Sequence, residues 1–292
     1  MTTKKTFFLG GSILIILILS CFLLFSPLGV HTYGEILFPE KEYKVYESHN
    51  YPTAIDEMKP IGQIFDLPST LKQPSGVDFN EDKKTFLVVT DQAEIMELTN
   101  EFKEINSSAT ISNKPLLFRQ GSVESIDFYE NKAYIGGDLG KIELWEEQSG
   151  VWKRTGSITP RERTDVNYSA EALAIHPETG DIYLGNNDKI TIIDQQGNYV
   201  SEIALKGEVK DGRSISEYII AGLDFHKNTL YVLTEYHSAI LSVDYSTGII
   251  TEIYGLEGMV EGAGLAVTDS AYFVVVDHEL DEVSPGVKMY KR

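Results

Sequence analysis

The sequence predicts an all-β fold: a five-bladed β-propeller with four antiparallel strands in each blade. Three observations support this prediction. A unit recurs five times along the chain, and each unit contains aromatic and β-branched runs separated by polar turns. In addition, the last unit stops one strand short, and a matching strand precedes the first unit.

Each unit opens with a short apolar strand, for example Ser75–Phe79 and Glu124–Phe128. Successive openings are 42 to 50 residues apart, a period typical of repeat architectures. A β-sandwich is the alternative, but a sandwich does not require units of nearly equal length. The aliphatic centres of the five openings are Val77, Ile126, Leu173, Leu223 and Leu265.

The rest of each unit supplies three further strands. A β-prone run such as Thr85–Val89 follows the opening, and a run that alternates polar and apolar residues, such as Glu94–Leu98, comes next. A more polar fourth strand is clearest at Tyr199–Leu205 and Ile250–Tyr254, and polar residues suit the outer edge of a sheet. Four antiparallel strands in each of five units indicate a propeller.

The ends of the repeat region predict how the ring closes. The last unit ends at Arg292 after its third strand, and the segment Ile61–Leu67 has the pattern of a fourth strand. We therefore expect Ile61–Leu67 to pair with the C-terminal strands and to join the two ends of the chain into one blade.

The N-terminal region predicts a membrane anchor. Residues Phe7–Phe25 carry no charge and follow Lys4 and Lys5. A run of this length spans a bilayer core of about 30 Å, and the lysines favour a cytoplasmic N-terminus. We expect residues 1–28 to be a signal anchor in the plasma (inner) membrane, crossing it once, with the C-terminal domain outside the cytoplasm.

Two alternatives for the N-terminus stay open: a cleaved signal peptide, and a lipoprotein modified at Cys21. The apolar run is long for a signal-peptide core, and no clear cleavage site follows it. The residues after Cys21 are apolar, whereas a lipoprotein normally turns polar there. We assign residues 29–60 to a linker, expected to be extended or loosely packed, and residues 61–292 to the propeller.

The net charge of the chain limits the classes of partner that it can bind. The formal net charge is −19, and residues 1–30 contain two lysines and no acids, so the remainder carries −21. A field of this sign repels nucleic acid and attracts cations. We therefore expect no nucleic-acid partner. Besides the membrane, the expected partner is a protein or small-molecule ligand that the sequence does not identify.

Three glutamates are the candidate metal ligands. Glu124 and Glu171 occupy the first position of their openings, and Glu261 lies two residues before the equivalent Ala263. The inner strands of a propeller line its central channel, so these acids from three blades can converge there. Carboxylates that close together require a cation, and calcium takes six to eight oxygen ligands. The sequence thus predicts calcium at Glu124, Glu171 and Glu261.

Each glutamate also has a plainer interpretation, as a solvated channel residue or as the partner of an arginine such as Arg119 or Arg213. Additional oxygen ligands are available at strand ends, although turn formation explains these residues equally well. The strand-end candidates are Asp91, Asp138, Asn186, Asn187, Glu235 and Asp277.

An enzyme is the rival interpretation. His237 and His278 occupy matching places after the second strand of their units and are candidate acids or bases. With a channel metal that polarises a carbonyl or phosphoryl oxygen, they would support a calcium-dependent lactonase or phosphoesterase. The sequence contains no nucleophile motif, no P-loop and no short-spaced pair of histidines.

The order and spacing of several short motifs resemble the SdiA-regulated family, which comprises bacterial envelope proteins distantly similar to NHL repeats. The resemblance covers roughly residues 60–292 and the apolar N-terminus. It implies a five-bladed propeller with a bound calcium ion and no settled activity. The family's glutamate-bearing openings match at Glu124 and Glu171, and the chain departs from the pattern at Ala263. The motifs are Ser75–Phe79, Glu94–Leu98, Val123–Phe128, Ala170–Ala174 and Ile220–Phe225.

Overall fold

The computed structural model describes most of the propeller region. The chain divides into two units, Met1–Tyr43 and Lys44–Arg292, and all described residues belong to the second. The predicted anchor and Cys21 lie outside the described residues, and none of the described residues forms a helix long and apolar enough to cross a bilayer. The described residues are 56–58, 65–67, 71, 73–91, 94–108, 123–137, 140–161, 169–187, 189–207, 219–234, 238–259, 262–276 and 286–292.

Five sheets form the five predicted blades, and in blades 1 to 3 the strands follow the chain from the axis outward. Blade 1 contains β3 (Pro74–Asn80), β4 (Thr85–Thr90), β5 (Ile95–Leu98) and β6 (Glu104–Ser108). Blade 2 contains β7 (Val123–Tyr129), β8 (Lys132–Gly137), β9 (Ile142–Gln148) and β10 (Val151–Ile158). Blade 3 contains β11 (Ala172–Ile175), β12 (Ile182–Asn186), β13 (Lys189–Ile193) and β14 (Tyr199–Ala204).

The remaining two blades incorporate strands from the N-terminal side of the repeats. Blade 4 contains β15 (Ile220–His226), β16 (Thr229–Thr234), β17 (Ala239–Asp244) and β18 (Ile249–Leu256), with β1 (Asp56–Met58) at its outer edge. Blade 5 contains β19 (Gly262–Val267), β20 (Ala271–Val276), β21 (Gly286–Lys291) and β2 (Phe65–Asp66).

The ring closes as the sequence predicts. Strand β2 pairs antiparallel with β21, with Phe65 opposite Val287 and Asp66 opposite Gly286. Residues 61–64 of the predicted closing strand lie outside the described residues. The sequence does not predict the pairing of β1, which lies in the linker and runs parallel to β18.

The first strands of the blades surround the axis in a closed circuit, in which β3, β7, β11, β15 and β19 each contact the next and β19 contacts β3. Small residues allow this close approach near the beginning of each strand. A Cβ on Gly264 would lie 2.8 Å from the Val77 nitrogen, so a side chain there would collide with the backbone of the next blade. The Ser75 hydroxyl donates a 2.7 Å hydrogen bond to the Val123 carbonyl across the same kind of contact.

The hydrophobic core consists of five clusters, one between each pair of neighbouring blades. Alternation along one strand supplies two clusters. In β4, Phe86 and Val88 pack towards blade 5, whereas Leu87 and Val89 pack towards blade 2. Each fully buried aliphatic or aromatic side chain of this kind contributes about 1.5–3 kcal/mol. Because every cluster joins two blades, the blades stabilise one another and hold the inner strands in register.

Candidate functional site

A β-bulge near the beginning of the inner strand recurs in four blades. The register shifts between Pro74 and Gly76, Val123 and Ser125, Ile220 and Gly222, and Gly262 and Gly264. The extra residue at each bulge leaves the ladder, and bulges commonly re-aim a side chain beside a functional site. The bulged residues are Ser75, Glu124, Ala221 and Ala263.

The bulged residues line a small space on the propeller axis, which we call the constriction. Its cavity volume is about 10 Å³, close to the space of one water molecule. Glu124 is the only ionisable residue among the described residues that line it. The constriction is therefore a space of atomic size lined by one acidic residue and by the small residues of the other bulges.

The structure describes two of the three predicted metal ligands. Glu124 is half-buried and lines the constriction. Glu171 directly precedes β11 at the equivalent position of blade 3, where it is exposed and accepts a 3.4 Å hydrogen bond from the Ser169 hydroxyl. Glu261 lies outside the described residues, and those residues contain no cluster of three or more metal-ligating side chains. The predicted ligand set stays a prediction.

Among the strand-end candidates, Asp91, Asn186 and Asn187 are described. The Asp91 amide donates a 3.0 Å hydrogen bond to the Gln73 carbonyl, which extends the pairing of β3 with β4 by one residue. Asn186 is buried, and its Oδ1 accepts a 2.6 Å hydrogen bond from Asn187 Nδ2. Neither arrangement assigns the residue to a metal. The candidates outside the described residues are Asp138, Glu235, Asp277, His237, His278, Arg119 and Arg213.

The opposite end of the channel contains a larger space, which we call the aspartate cavity. Its volume is about 290 Å³, and three buried aspartates line it: Asp78, Asp127 and Asp224. These residues occupy the same place in β3, β7 and β15, directly after the aliphatic centre of each opening. None of the three is among the site residues predicted from the sequence. Their signal was an aspartate in the interior of three equivalent strands, where that residue is depleted.

Asp78 shows how these aspartates connect blades. Its Oδ1 accepts a 2.6 Å hydrogen bond from the amide of Phe79 in its own strand. Its Oδ2 accepts a 2.6 Å bond from the amide of Phe128 in the next blade. Amides on the axial side of an inner strand have no neighbouring strand to pair with. The Asp78 carboxylate accepts from two of them in place of a backbone carbonyl.

The other two aspartates repeat this connection. Asp127 Oδ2 accepts a 2.5 Å hydrogen bond from the amide of Ile175, in blade 3. Asp224 Oδ2 accepts a 2.5 Å bond from the amide of Val267, in blade 5. Each aspartate therefore links its blade to the following one at the wide end of the channel.

Burial dominates the electrostatics of this end. Loss of hydration raises the pKa of Asp78 to about 6, although the two amides oppose that shift. Burial, together with the charge of Asp78, raises the pKa of Asp127 well above its ordinary value. The pKa of Asp224 is raised in the same way by burial and by the charges of Asp78 and Asp127. The charge of one carboxyl group thus raises the pKa of another across the cavity.

Aromatic and acidic side chains complete the wall. Phe79, Phe128 and Phe225 line the cavity and are each partly exposed. The remaining charged residues of the described wall are acids and one histidine. They are Glu81, Asp82, Glu130 and His226.

No protein-family model and no curated protein matches the chain. Solved structures do resemble it. Glutaminyl cyclase from Myxococcus xanthus has a TM-score of 0.54 at 13% identity, covering 82% of this chain and 99% of that one.

Two sugar-oxidising proteins resemble the chain to a similar degree. A putative oxidoreductase (glucose dehydrogenase) from Thermus thermophilus has a TM-score of 0.50 at 12% identity, covering 79% of this chain and 99% of that one. The PQQ-bound aldose sugar dehydrogenase from Streptomyces coelicolor has a TM-score of 0.50 at 10% identity, covering 82% and 99%. At these identities the likeness concerns the fold alone, and membership of the SdiA-regulated family stays a prediction. The chain has the fold of a β-propeller protein.

Proposed function

We propose that this chain is a membrane-anchored, extracytoplasmic binding module whose constriction binds one calcium ion. The observation that carries the proposal is that Glu124 is the bulged residue of blade 2 and lines a space of about one water molecule on the propeller axis. Glu171 occupies the equivalent position of the next blade. An acid at this position in neighbouring blades is what a shared axial cation requires.

The donor chemistry of the constriction fits calcium. Calcium takes six to eight oxygens at about 2.3–2.6 Å and accepts carboxylates, carbonyls and water together. Glu124 would hold the ion from the channel wall, with Glu171 at the channel mouth and Glu261 as the third predicted carboxylate. When bound, the ion supplies positive charge to an acidic channel.

A module of this kind gains stability from its ion. A ligand that binds only the folded state raises the free energy of unfolding in proportion to the logarithm of its concentration over Kd. Occupancy of the constriction would tie blades 2 and 3 together at their inner strands. We infer that the bound ion fixes the shape of the channel mouth that a partner contacts.

Calorimetry and thermal melting of the full-length chain test the calcium site. We expect calcium to raise the Tm and a chelator to reverse the rise. Glu124→Gln and Glu171→Gln remove one charge each with little change in shape, so both variants should weaken calcium binding. Glu202→Gln is the matched control, because Glu202 pairs with Lys189 on the exposed outer part of blade 3.

A melt of the full-length chain that responds neither to calcium nor to chelator would contradict the calcium proposal. The proposal also fails if Glu202→Gln and Glu124→Gln weaken calcium binding equally, because the ion would then bind the acidic surface at large. Binding that survives in Glu171→Gln but not in Glu124→Gln would restrict the site to the constriction wall.

Fractionation tests the anchor separately. We expect the full-length chain to stay in the membrane pellet after alkaline carbonate, and a variant lacking residues 7–25 to be released. A C-terminal reporter that is active only outside the cytoplasm should report activity. Release of the full chain by carbonate, or a silent reporter, would contradict the predicted location.

The hydrolase alternative depends on His237 and His278, which lie outside the described residues. A panel of lactones and phosphoesters, assayed with calcium, decides between the two functions. Turnover that disappears in Glu171→Gln favours the hydrolase, whereas inactivity throughout favours the binding module.

A further inference from the structure

The outer side of β18 in blade 4 is covered at its two ends and open between them. At one end, β1 runs parallel to the last residues of β18, with Asp56 beside Tyr254. At the other end, Lys206 pairs in parallel with Ile249. We propose that the residues directly before β1, Thr53–Ile55, dock on the open part and extend the parallel pairing along blade 4.

The open part, which we call the open edge, is the outer side of Thr251, Glu252 and Ile253. Among the described residues, β18 pairs with β17 on its inner side, and no strand pairs with the outer side of these three. Exposure follows the coverage, because Thr251 and Glu252 are exposed, whereas Gly255 and Leu256 beside β1 are buried. An uncovered edge offers backbone amides and carbonyls to a further extended segment.

The register of β1 determines which residues would reach the open edge. Because β1 runs parallel to β18, each residue before Asp56 falls beside the residue before its partner. Three residues of the chain therefore meet three open positions, with no insertion and no gap. The pairs are Ile55 with Ile253, Ala54 with Glu252, and Thr53 with Thr251.

The same register ends the pairing at a proline. Pro52 would fall beside Ile250, and a proline has no amide hydrogen to donate to a strand partner. The Ile250 amide is already used, because it donates a 2.7 Å hydrogen bond to the Lys206 carbonyl. The segment that can pair and the edge that is open thus end at the same position.

The residues that follow Lys206 are the competing occupant, since they approach the open edge from its other end. The backbone argues against them. The chain bends at Gly207, where φ is +154°, whereas a parallel strand requires a φ near −120°. Thr53 and Ile55, by contrast, are β-branched residues, which are enriched in strands.

The open edge also offers an apolar contact. Ile253 is half-buried and packs against the core cluster between blades 3 and 4. Residues that lie opposite each other on neighbouring strands project from the same face of the sheet. Ile55 would therefore cover part of Ile253, and burial of apolar surface would add to the backbone hydrogen bonds.

Docking of Thr53–Ile55 would make blade 4 the point at which the linker leaves the propeller. The part of this inference that concerns the membrane rests on the proposed anchor, because only an anchored linker is a tether. The pairing itself does not depend on the anchor. It also covers an edge that could otherwise pair with a strand of another chain.

Disulfide trapping in the full-length chain tests the register. Ala54→Cys and Glu252→Cys are combined with Cys21→Ala, so that the chain contains no other thiol. Neighbouring strands lie about 4.7–4.9 Å apart, and a disulfide spans Cα distances of about 4.4–6.8 Å. We expect an intramolecular cross-link under mild oxidation, seen as a change in gel mobility that a reductant reverses.

Two further cysteine pairs calibrate this result. Asp56→Cys with Tyr254→Cys is the positive control, because these residues lie opposite each other in the structure. Ala54→Cys with Tyr254→Cys is the register control, and it shares one cysteine with each of the other pairs. Its two residues are offset by about 7 Å along the strand, so we expect about tenfold less cross-linking.

Hydrogen exchange of the full-length chain supplies a measurement that needs no cysteine. Replacing both Ala54 and Ile55 by proline removes both amide hydrogens, so the one that faces β18 is lost. We expect exchange within Thr251–Ile253 to become about tenfold faster than in the wild type. Glu47→Pro with Ser48→Pro, outside the proposed pairing, is the matched control and should leave this exchange unchanged.

Cross-linking of the positive control without cross-linking of Ala54→Cys to Glu252→Cys would overturn the proposal, because the pairing would then end with β1. Disulfide-linked dimers in place of the intramolecular product would assign the open edge to a second copy. Trapping of Glu252→Cys by Val209→Cys would assign it to the segment after Gly207, with the same consequence for the proposal.

Exchange within Thr251–Ile253 that is equally fast in the wild type and in the proline variant would also contradict the docking. Neither measurement depends on membrane attachment. Release of the chain by alkaline carbonate would therefore refute the anchor and leave the docking intact, whereas a failed cross-link would refute the docking and leave the anchor intact.

Discussion

The two ends of the axial channel use acidic residues in opposite ways. At the constriction, Glu124 sits on a bulge, is half-buried, and lines a space of about 10 Å³. At the wide end, Asp78 lies in the regular part of its strand, is 7% exposed, and accepts amides from two blades. Glu124 thus lies at an irregular point of its strand, whereas Asp78 lies in a regular strand and is held by hydrogen bonds to two blades.

This difference indicates that Glu124 is a candidate for ligand binding, whereas the aspartates stabilise the fold. A bulged residue lies outside the strand ladder, and bulges commonly re-aim a side chain beside a functional site. An aspartate that accepts inner-strand amides is part of the frame, and only its remaining lone pairs face the cavity. The aspartates of the wide end therefore make structural hydrogen bonds, and substitutions there should affect folding more than substitutions of Glu124.

The largest expected effect concerns the contact between inner strands at the constriction. In Gly264→Val, the added Cβ would lie 2.8 Å from the Val77 nitrogen and 2.9 Å from the Gly76 Cα, and neither backbone atom can move aside. We expect a loss of about 3 kcal/mol or more in the free energy of unfolding, measured in urea.

Gly156→Val in the outer strand of blade 2 is the control, because its Cβ would meet only the Leu144 side chain, at 3.4 Å. A loss below about 1 kcal/mol is expected there. If both variants unfold alike, the narrowness of the constriction is not a packing requirement.

The next effect distinguishes the aspartates from the glutamate. Asp127→Ala leaves the amide of Ile175 without its acceptor, so the free energy of unfolding should fall by about 2 kcal/mol. Glu124→Ala, tested without calcium, should cost less than about 1 kcal/mol, as expected for a partly solvated acid. Equal decreases in the free energy of unfolding of the two variants would contradict the assignment of Asp127 to the fold and of Glu124 to ligand binding.

A smaller effect concerns pH. The folded pKa of Asp78, about 6, exceeds its ordinary value of 3.8, so the folded state holds this proton over a range in which the unfolded chain releases it. The contribution of Asp78 to stability is therefore present at low pH and is lost as the pH rises through about 6. The charge of Glu81 contributes to raising the pKa of Asp78, and the charge of Asp78 in turn raises the pKa values of Asp127 and Asp224.

Urea unfolding at about pH 5 and about pH 7.5, without metal, measures this effect. The wild type should lose about 1–2 kcal/mol more than Asp78→Asn between these conditions. Parallel pH profiles for the two proteins would show that burial does not strain this carboxylate.

The smallest expected effect is the coupling between the two ends. Glu124 and Asp127 are three residues apart on one strand, which corresponds to about 10 Å. Stability changes in Glu124→Gln and Asp127→Asn should therefore add to within about 0.5 kcal/mol in the double variant. A larger deviation would mean that the channel acts as one electrostatic unit.

Local patterns in the sequence were sufficient for the fold. The aliphatic centres of the openings, from Val77 to Leu265, all lie in first strands, because each repeat must bury the same positions against its neighbours. The closing pair of Phe65 with Val287 was predictable for a similar reason, since a blade with three strands leaves an edge that a fourth must cover. By contrast, β1 has only three residues and no periodic pattern. It is therefore identified from its pairing with β18 in the structure and not from the sequence.

The candidate sites were predictable in part. Glu124 stood out because the equivalent residues in three other blades are small, and it lines the channel wall. Asp78 and its two equivalents were visible in the same motifs but looked like ordinary polar residues of strands. Their role depends on amides of the following blade, such as that of Phe128, which are about fifty residues away in sequence. The size of the aspartate cavity depends on all blades together and leaves no local signal.

The order of β1 and β2 along the chain has a mechanical consequence. Tension applied from the N-terminal side reaches the three-residue ladder between β1 and β18 before it reaches the pair formed by Phe65 and Asp66 with β21. The parallel pairing of β1 with β18 thus protects the closing pair of blade 5. It must break before tension can separate β2 from β21 and open the ring.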